Sequence, residues 1–181
     1  MGRIAWTVVA GVLLVISCSF AGPRYEQPVG AHIRAAFGAK ASRNLGVSRG
    51  HIQASLDHQD LRDGVWLHIQ AYEFLDEDTD ATLSLSIRNP RAGGRWKLGH
   101  SEDGATAIYA IHDITPDHTV PYWSDLKHPG TILLRRFDEK NRIIEGTFEF
   151  TGTAGAESLR VSQGSFKLRY LDVGVDGKYE D

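Results

Sequence analysis

Histidine and aspartate residues gather in one polar stretch in the second half of the chain. None of the eight histidines forms a His-x-His pair or the i, i+4 pair of a zinc-binding helix. The stretch instead combines imidazoles, carboxylates and two aromatic rings: His112, Asp113, Asp117, His118, Tyr122, Trp123, Asp125 and His128. Such groups could hold zinc or copper, or place a general base against a substrate carbonyl. A loop of solvated polar side chains explains the same residues and is the favoured interpretation, with the site as the alternative.

An acidic run offers a second candidate site. Asp76, Asp78 and Asp80 alternate along the chain, which is the spacing that brings carboxylates of a calcium loop onto one cation. The glycine that an EF-hand loop needs for its turn and the bidentate glutamate at its end are both missing. A solvated hairpin tip is therefore favoured, with a calcium site as the alternative.

Sequence signatures of nucleophilic catalysis are absent. The chain has neither a Gly-x-Ser-x-Gly elbow nor a Gly-x-x-x-x-Gly-Lys phosphate loop, and its one cysteine lies near the N-terminus. We therefore favour a binding or accessory module over an enzyme, and a hydrolase or metal-binding protein using the 112–128 residues is the alternative. No cofactor is predicted apart from calcium or a transition metal at these two places.

Aromatic residues suggest how a ligand could be held. Trp66 and Tyr72 lie on the same face of a predicted strand, and Tyr122 and Trp123 follow Pro121. Exposed aromatic rings stack on sugars or hold a peptide, so the expected ligand is a protein or a carbohydrate. For the strand that carries Trp66 and Tyr72, however, the favoured interpretation is that both faces are buried.

The elements that position these residues are predicted to be strands. Apolar and polar residues alternate with period 2 between turn-forming clusters at 51–56, 65–74, 82–87, 107–112, 131–137, 143–150, 158–162 and 165–171. Residues 31–41 fit a strand or a turn or two of helix. The predicted fold is all-β, an antiparallel β-sandwich or an open barrel of eight or nine strands. Residues 115–130, with three prolines, are predicted to form an irregular binding loop.

The N-terminus has the pattern of an exported protein. Arg3 precedes the apolar residues 4–16, which are fewer than the ~20 that a membrane-spanning helix needs. Residues 15–18 read Val-Ile-Ser-Cys, which resembles a bacterial lipobox and predicts lipidation of Cys18. The alternative is ordinary cleavage after Ala21, before Gly22.

The predicted organisation is therefore simple. A signal-peptide helix occupies 1–17, a tether 18–30, one β-sandwich domain 31–175 and a short tail 176–181. The membrane is the expected partner through the lipid anchor, and the expected location is the cell envelope: outer membrane, cell surface or periplasm. A net charge of −3 leaves no basic excess, which argues against nucleic acid as a partner.

The C-terminal third carries the most specific pattern. Residues 143–151 read Ile-Ile-Glu-Gly-Thr-Phe-Glu-Phe-Thr, preceded by Phe137-Asp138 and followed by Gly164-Ser165-Phe166. This pattern resembles an uncharacterised family of bacterial lipoprotein and secreted β-sandwich domains. The resemblance implies an all-β exported domain, usually lipidated, and carries over no site residues. From the residues themselves, Phe148 and Phe150 are expected in the core, and Gly146 and Gly164 at bulges or close backbone approaches.

Overall fold

The computed structural model describes residues 27–45, 52–58, 64–99, 104–113, 118–174 and 179–180. The predicted signal-peptide helix (1–17), the lipidation site Cys18 and residues 19–26 of the tether lie outside these residues. Asp117, one of the candidate site residues, also lies outside them.

The described residues form thirteen strands and no helix, so the all-β prediction is confirmed. The strands are β1 (His32–Phe37), β2 (Arg43–Leu45), β3 (Ile52–Asp57), β4 (Trp66–Phe74), β5 (Thr79–Arg88), β6 (Gly94–Leu98), β7 (Ala105–Asp113), β8 (His118–Ser124), β9 (Gly130–Asp138), β10 (Ile143–Ala154), β11 (Glu157–Arg169), β12 (Leu171–Val173) and β13 (Tyr179–Glu180). Ten of them have five or more residues. Two of these ten, β6 and β8, were not predicted, and β1 resolves the helix-or-strand alternative at 31–41.

The strands belong to one curled open sheet, a half-barrel, so the open alternative of the two predicted architectures is the one observed. The order is β13-β12-β3-β4-β5-β7-β8-β10-β11-β1-β2, and β9 and β6 branch off β10. The first part of β10 pairs with β9, whereas Gly152 and Thr153 pair with β8. Neighbouring strands are antiparallel except for β12 and β3, which are parallel.

The core lies on the inner face of the curled sheet. Along β4 and β5, alternate residues are buried as the period-2 pattern predicted: Leu67, Ile69, Ala71, Leu83, Leu85 and Ile87. The other face of these strands, called the outer face below, carries mostly polar and aromatic side chains. Burial of each large aliphatic side chain contributes about 1.5–3 kcal/mol, so this inner face is what fixes the register of the two strands.

Two glycines in the C-terminal strands permit close backbone approach, as predicted. A Cβ atom on Gly146 would clash with the Leu133 carbonyl oxygen, and one on Gly164 would clash with the Phe148 carbonyl oxygen. Phe148 and Phe150 are both buried in the core, which confirms their expected position.

The two strands predicted at 158–162 and 165–171 are one strand, β11, and the prediction of two was wrong. The pairing with β10 shifts register between Phe148 and Phe150, and Gln163 on β11 has a left-handed φ of 51°. A β-bulge of this kind interrupts the alternation of buried and exposed residues without interrupting the hydrogen-bonded ladder. In the sequence, the interruption looked like a turn.

The prediction of an irregular loop at 115–130 was wrong for part of this range, because His118–Ser124 form strand β8. Pro121 suggested a loop, since proline removes a ladder hydrogen bond. In the sheet, Pro121 lies opposite Ala110 of β7, and only Trp123 and Ser124 of β8 pair with β10. Pro121 therefore lies where one edge of β8 is unpaired, and proline is tolerated there.

Both predicted end segments contain residues that contact the sheet. Gln27, in the predicted tether, accepts a 3.0 Å hydrogen bond from the Arg169 amide through its side-chain oxygen. At the other end, Tyr179 and Glu180 of the predicted tail form β13, which pairs with β12. Within the described residues, no helix is long and apolar enough to cross a membrane.

Candidate functional site

The candidate residues at 112–128 divide into two groups, one at each end of β8. At the first end, His118 Nδ1 lies 3.7 Å from an Asp113 carboxylate oxygen, and both side chains are largely exposed. Beside this pair, His112 Nδ1 lies 2.8 Å from the Thr119 hydroxyl. These contacts connect the ends of β7 and β8, so each polar group at this end has a neighbour from the adjacent strand.

The second group forms the turn that leads from β8 into β9. Asp125 accepts a 2.7 Å hydrogen bond from the His128 amide and a 2.9 Å hydrogen bond from the Thr153 hydroxyl. The His128 amide, followed by Thr153, holds the pKa of Asp125 below its usual range. Asp125 and His128 therefore build the turn itself.

The length of β8 separates these two groups. Six strand steps from His118 to Ser124 correspond to roughly 20 Å. Within the described part of the chain, no three His, Cys, Asp or Glu side chains are placed to share one metal ion. The structure thus brings Asp113 close to His118, and Asp125 close to His128, but does not bring the two pairs together.

The two aromatic candidates on β8 point to opposite faces of the sheet. Tyr122 packs against the core and donates a 2.9 Å hydrogen bond to Glu157, which raises the pKa of Tyr122. Trp123 lies opposite Ile108 on the outer face and is 45% exposed. Of this pair, Trp123 is the more exposed ring.

The three aspartates of the acidic run also occupy different environments. Asp76 caps the β4–β5 turn by accepting a 3.0 Å hydrogen bond from the Asp78 amide. Asp80 lies in β5, is only 9% exposed, and accepts a 2.5 Å hydrogen bond from the Tyr72 hydroxyl. Burial, followed by this contact with Asp80, raises the pKa of Tyr72 to about 12. The turn is the hairpin tip that the sequence favoured, and Asp80 stands apart from it in the sheet.

Small hydroxyl side chains occupy the middle of the outer face. This hydroxyl lane consists of Thr82, Ser84 and Ser86 on β5, together with Thr106 on β7, which lies opposite Ser86. Aromatic side chains of β4 lie on one side of the lane. On the other side, Ile108 of β7 separates Ser84 from Trp123 of β8. Three inter-strand spacings, about 14 Å, separate β4 from β8.

The aromatic border on β4 is partly exposed, so the favoured prediction that both faces of this strand are buried was wrong. Trp66 stacks on His68 with ring centroids 6.2 Å apart, and His68 Nδ1 lies 3.0 Å from the Ser86 hydroxyl. Burial lowers the pKa of His68, against an opposing effect of Asp57. Further along β4, Phe74 is 46% exposed and packs edge-on against Tyr72 at 5.3 Å. This border presents both rings and polar atoms at the surface.

A second surface was missed by reasoning from the sequence. A depression of about 340 Å³ lies on the opposite branch of the sheet, over β6, β9, β10 and β11. Polar and apolar surface contribute about equally to its lining, which consists of Arg95, Thr131, Thr147, Glu149, Gln163 and Ser165, with Leu133, Phe148 and Gly164. The alternation of polar residues along each strand was visible in the sequence. These residues come together because β9 and β6 branch off β10, and the sequence contains no signal for that branch.

Comparisons with known proteins found no similarity: no family model, curated protein or solved structure matches this chain.

Proposed function

We propose that this protein is an exported, lipid-anchored binding module of the cell envelope. The N-terminal pattern supports export, because a short apolar segment leads to the lipobox-like residues 15–18 and Cys18. An all-β domain then carries the binding surface. The resemblance of residues 143–166 to lipidated bacterial domains is consistent with this assignment.

The binding surface is the outer face of β4, β5, β7 and β8. The observation that carries this assignment is the exposure of Trp123 and Phe74, two large rings that lie on the outer face on either side of β5 instead of joining the core. Large exposed rings beside polar side chains are typical of surfaces that hold a protein or carbohydrate ligand. The 112–128 residues contribute Trp123 to this surface, whereas Asp125 and His128 serve the turn.

The anchor is tested by the intact mass of the mature protein from the membrane fraction of its native host. We expect a chain that begins at Cys18 and carries acyl groups, and we expect Cys18→Ser to move the protein out of that fraction. A soluble chain that begins at Gly22 would contradict the anchor.

The binding surface is tested with two matched variants. Ser84→Arg fills the hydroxyl lane, and Thr147→Arg makes the same kind of change on a half-exposed β10 position in the polar depression. Wild-type protein and both variants are applied to arrays of glycans and peptides. We expect Ser84→Arg to abolish the wild-type binding pattern and Thr147→Arg to keep it. The reverse result would move the binding surface to the depression over β9 to β11.

A further inference from the structure

A polar side chain on a strained backbone lies in the depression over β6, β9, β10 and β11. Gln163 lines this depression and is exposed, and its φ of 51° is in the left-handed region. The pairing of β10 with β11 shifts register at this point, between Phe148 and Phe150. Glycine would adopt this φ with less strain, and strained residues and bulges concentrate at functional sites. The glutamine amide is thus held there at a cost to the fold, which points to a ligand.

Hydroxyl groups that can bind a ligand lie in the same depression. Thr131 and Thr147 are half-exposed, and neither hydroxyl has a hydrogen-bond partner among the described residues. Ser165 lies opposite Thr147 and supplies a third hydroxyl, while Leu133 and Phe148 supply apolar surface. Each hydroxyl can both donate and accept a hydrogen bond. The volume of about 340 Å³ lies within the range of small-molecule sites.

Two opposite charges lie on either side of these hydroxyls. Arg95 is on β6 and Glu149 is on β10, with β9 between them. Arg95 pairs with Leu133 of β9, whereas Glu149 pairs with Thr131. Two inter-strand spacings and two strand steps therefore separate their backbones, about 12 Å. Both side chains are exposed, and neither forms an ion pair within the described part of the chain. Each charge is accessible to a ligand that fits between them.

We infer that the depression binds a compact zwitterion, a molecule that carries a carboxylate and an ammonium group on one short skeleton. Arg95 binds the carboxylate bidentately, and Glu149 accepts hydrogen bonds from the ammonium group. Thr131 and Thr147 hydrogen-bond to the ligand between these ends, and Leu133 packs against its skeleton. A simple anion would be repelled by Glu149 and a simple cation by Arg95, so a ligand with both charges fits best. Free amino acids and short peptides share this chemistry.

The test measures binding of free L-amino acids and of dipeptides to the full mature chain by calorimetry. We expect wild-type protein to bind at least one of them, and Arg95→Gln and Glu149→Gln each to weaken that binding at least about tenfold. Lys97→Gln and Glu145→Gln are the matched controls, because they remove the same charges from the same face outside the lining. Both controls should leave binding unchanged. No binding by wild type, or equal binding by wild type and Arg95→Gln, would overturn the inference.

Blocked ligands test whether both charges are recognised. N-acetylation removes the ammonium group and C-terminal amidation removes the carboxylate, so each derivative should bind at least about tenfold more weakly than the free ligand. A derivative that binds as tightly as the free ligand would contradict the zwitterion assignment. Tighter binding of amino acids than of dipeptides assigns the ligand to free amino acids, and the reverse assigns it to short peptides. Both results support the site.

A charge exchange guards against misfolded variants. Arg95→Glu and Glu149→Arg each reverse one charge, and each alone should abolish binding. The double variant should regain part of the affinity, because the ligand can bind in the opposite direction. Recovery of this kind is not expected if the single variants lose binding through misfolding. A double variant that binds no better than either single variant would overturn the inference.

The site does not rest on the proposed function, because it lies on the other branch of the sheet. Thr147→Arg fills the depression and should abolish zwitterion binding while keeping the array pattern. Ser84→Arg should do the opposite. Loss of the array pattern in Ser84→Arg together with unchanged zwitterion binding in Thr147→Arg would leave the binding surface standing and overturn the zwitterion site.

Discussion

Two aspartates next to hairpin turns have opposite surroundings. Asp138, at the β9–β10 turn, accepts hydrogen bonds from the Asn141 amide at 3.0 Å, from the Asn141 side chain at 2.9 Å and from Arg136. Asp80, just after the β4–β5 turn, is more deeply buried and has one donor among the described residues, Tyr72. The more exposed carboxylate is thus fully bonded, and the buried one is only half bonded.

The difference separates a carboxylate whose hydrogen bonds stabilise a turn from a buried carboxylate with one oxygen that has no partner among the described residues. Around Asp138, strands β9 to β11 pair over long ladders that each contain one register shift, and their aromatic side chains fill the core. Around Asp80, the outer face leaves rings and hydroxyl groups partly exposed. We therefore expect substitutions in the first region to change stability most, and substitutions on the outer face to change binding most.

The largest stability effect is expected for Phe166→Ala. Phe166 is completely buried in β11, so its truncation leaves a cavity and should lower the free energy of unfolding by about 3–5 kcal/mol. Phe74→Ala makes the same chemical change at a ring that is 46% exposed and should cost less than about 1 kcal/mol. Urea denaturation of both variants measures the contrast. Similar losses in the two variants would remove the distinction between the regions.

A smaller effect is expected for Tyr72→Phe. The change removes the hydrogen bond to Asp80 and should destabilise the fold by about 1–3 kcal/mol, because both carboxylate oxygens then lack a protein donor. Tyr122→Phe removes an equivalent hydrogen bond to the exposed Glu157 and should change stability by less than about 0.5 kcal/mol. Thermal unfolding monitored by circular dichroism compares the two. Equal effects would mean that Asp80 has another donor.

The loss of stability at alkaline pH provides an independent measurement of the contact between Tyr72 and Asp80. The folded pKa of Tyr72, about 12, exceeds the ordinary value of 10.0, so its contribution to stability is present below pH 10 and is lost as the pH rises towards 12. Burial, its largest cause, also raises the pKa values of Tyr109 and Tyr170 to about 12. Tyr72→Phe should therefore reduce the alkaline loss of stability without abolishing it.

The repeating patterns of the sequence were sufficient to predict the fold class. Alternation of apolar and polar residues located the inner face of β4 and β5, because burial of one face imposes period 2 directly. Local exceptions to the pattern were misread. Pro121 led to the prediction of a loop where β8 lies, because a sequence does not show which backbone groups face an unpaired edge. The bulge at Gln163 led to the prediction of two strands where β11 is one strand.

The candidate site was less predictable than the fold. Asp125 and His128 have residue types that suit a metal site, but in the structure they are hydrogen-bonded within a turn. Asp80 looked like part of a hairpin tip, and its environment depends on cross-strand neighbours from β4 and β7. Function-related residues on a sheet converge across strands, so their grouping requires the strand order, which the alternation pattern does not contain.

The smallest effect concerns the acid stability of the β9–β10 turn. Hydrogen bonds from Asn141, followed by Arg136, lower the pKa of Asp138 to about 2, below its ordinary value of 3.8. Its contribution is therefore present above pH 3.8 and is lost as the pH falls towards 2. Asp138→Asn should be less stable than wild type at pH 6, with the difference shrinking as the pH approaches 2. Glu149→Gln changes the same charge at an exposed side chain, and chemical denaturation across this pH range should show it following the wild-type profile. A constant difference between wild type and Asp138→Asn would mean that the turn stabilises the fold through its shape and not through the carboxylate.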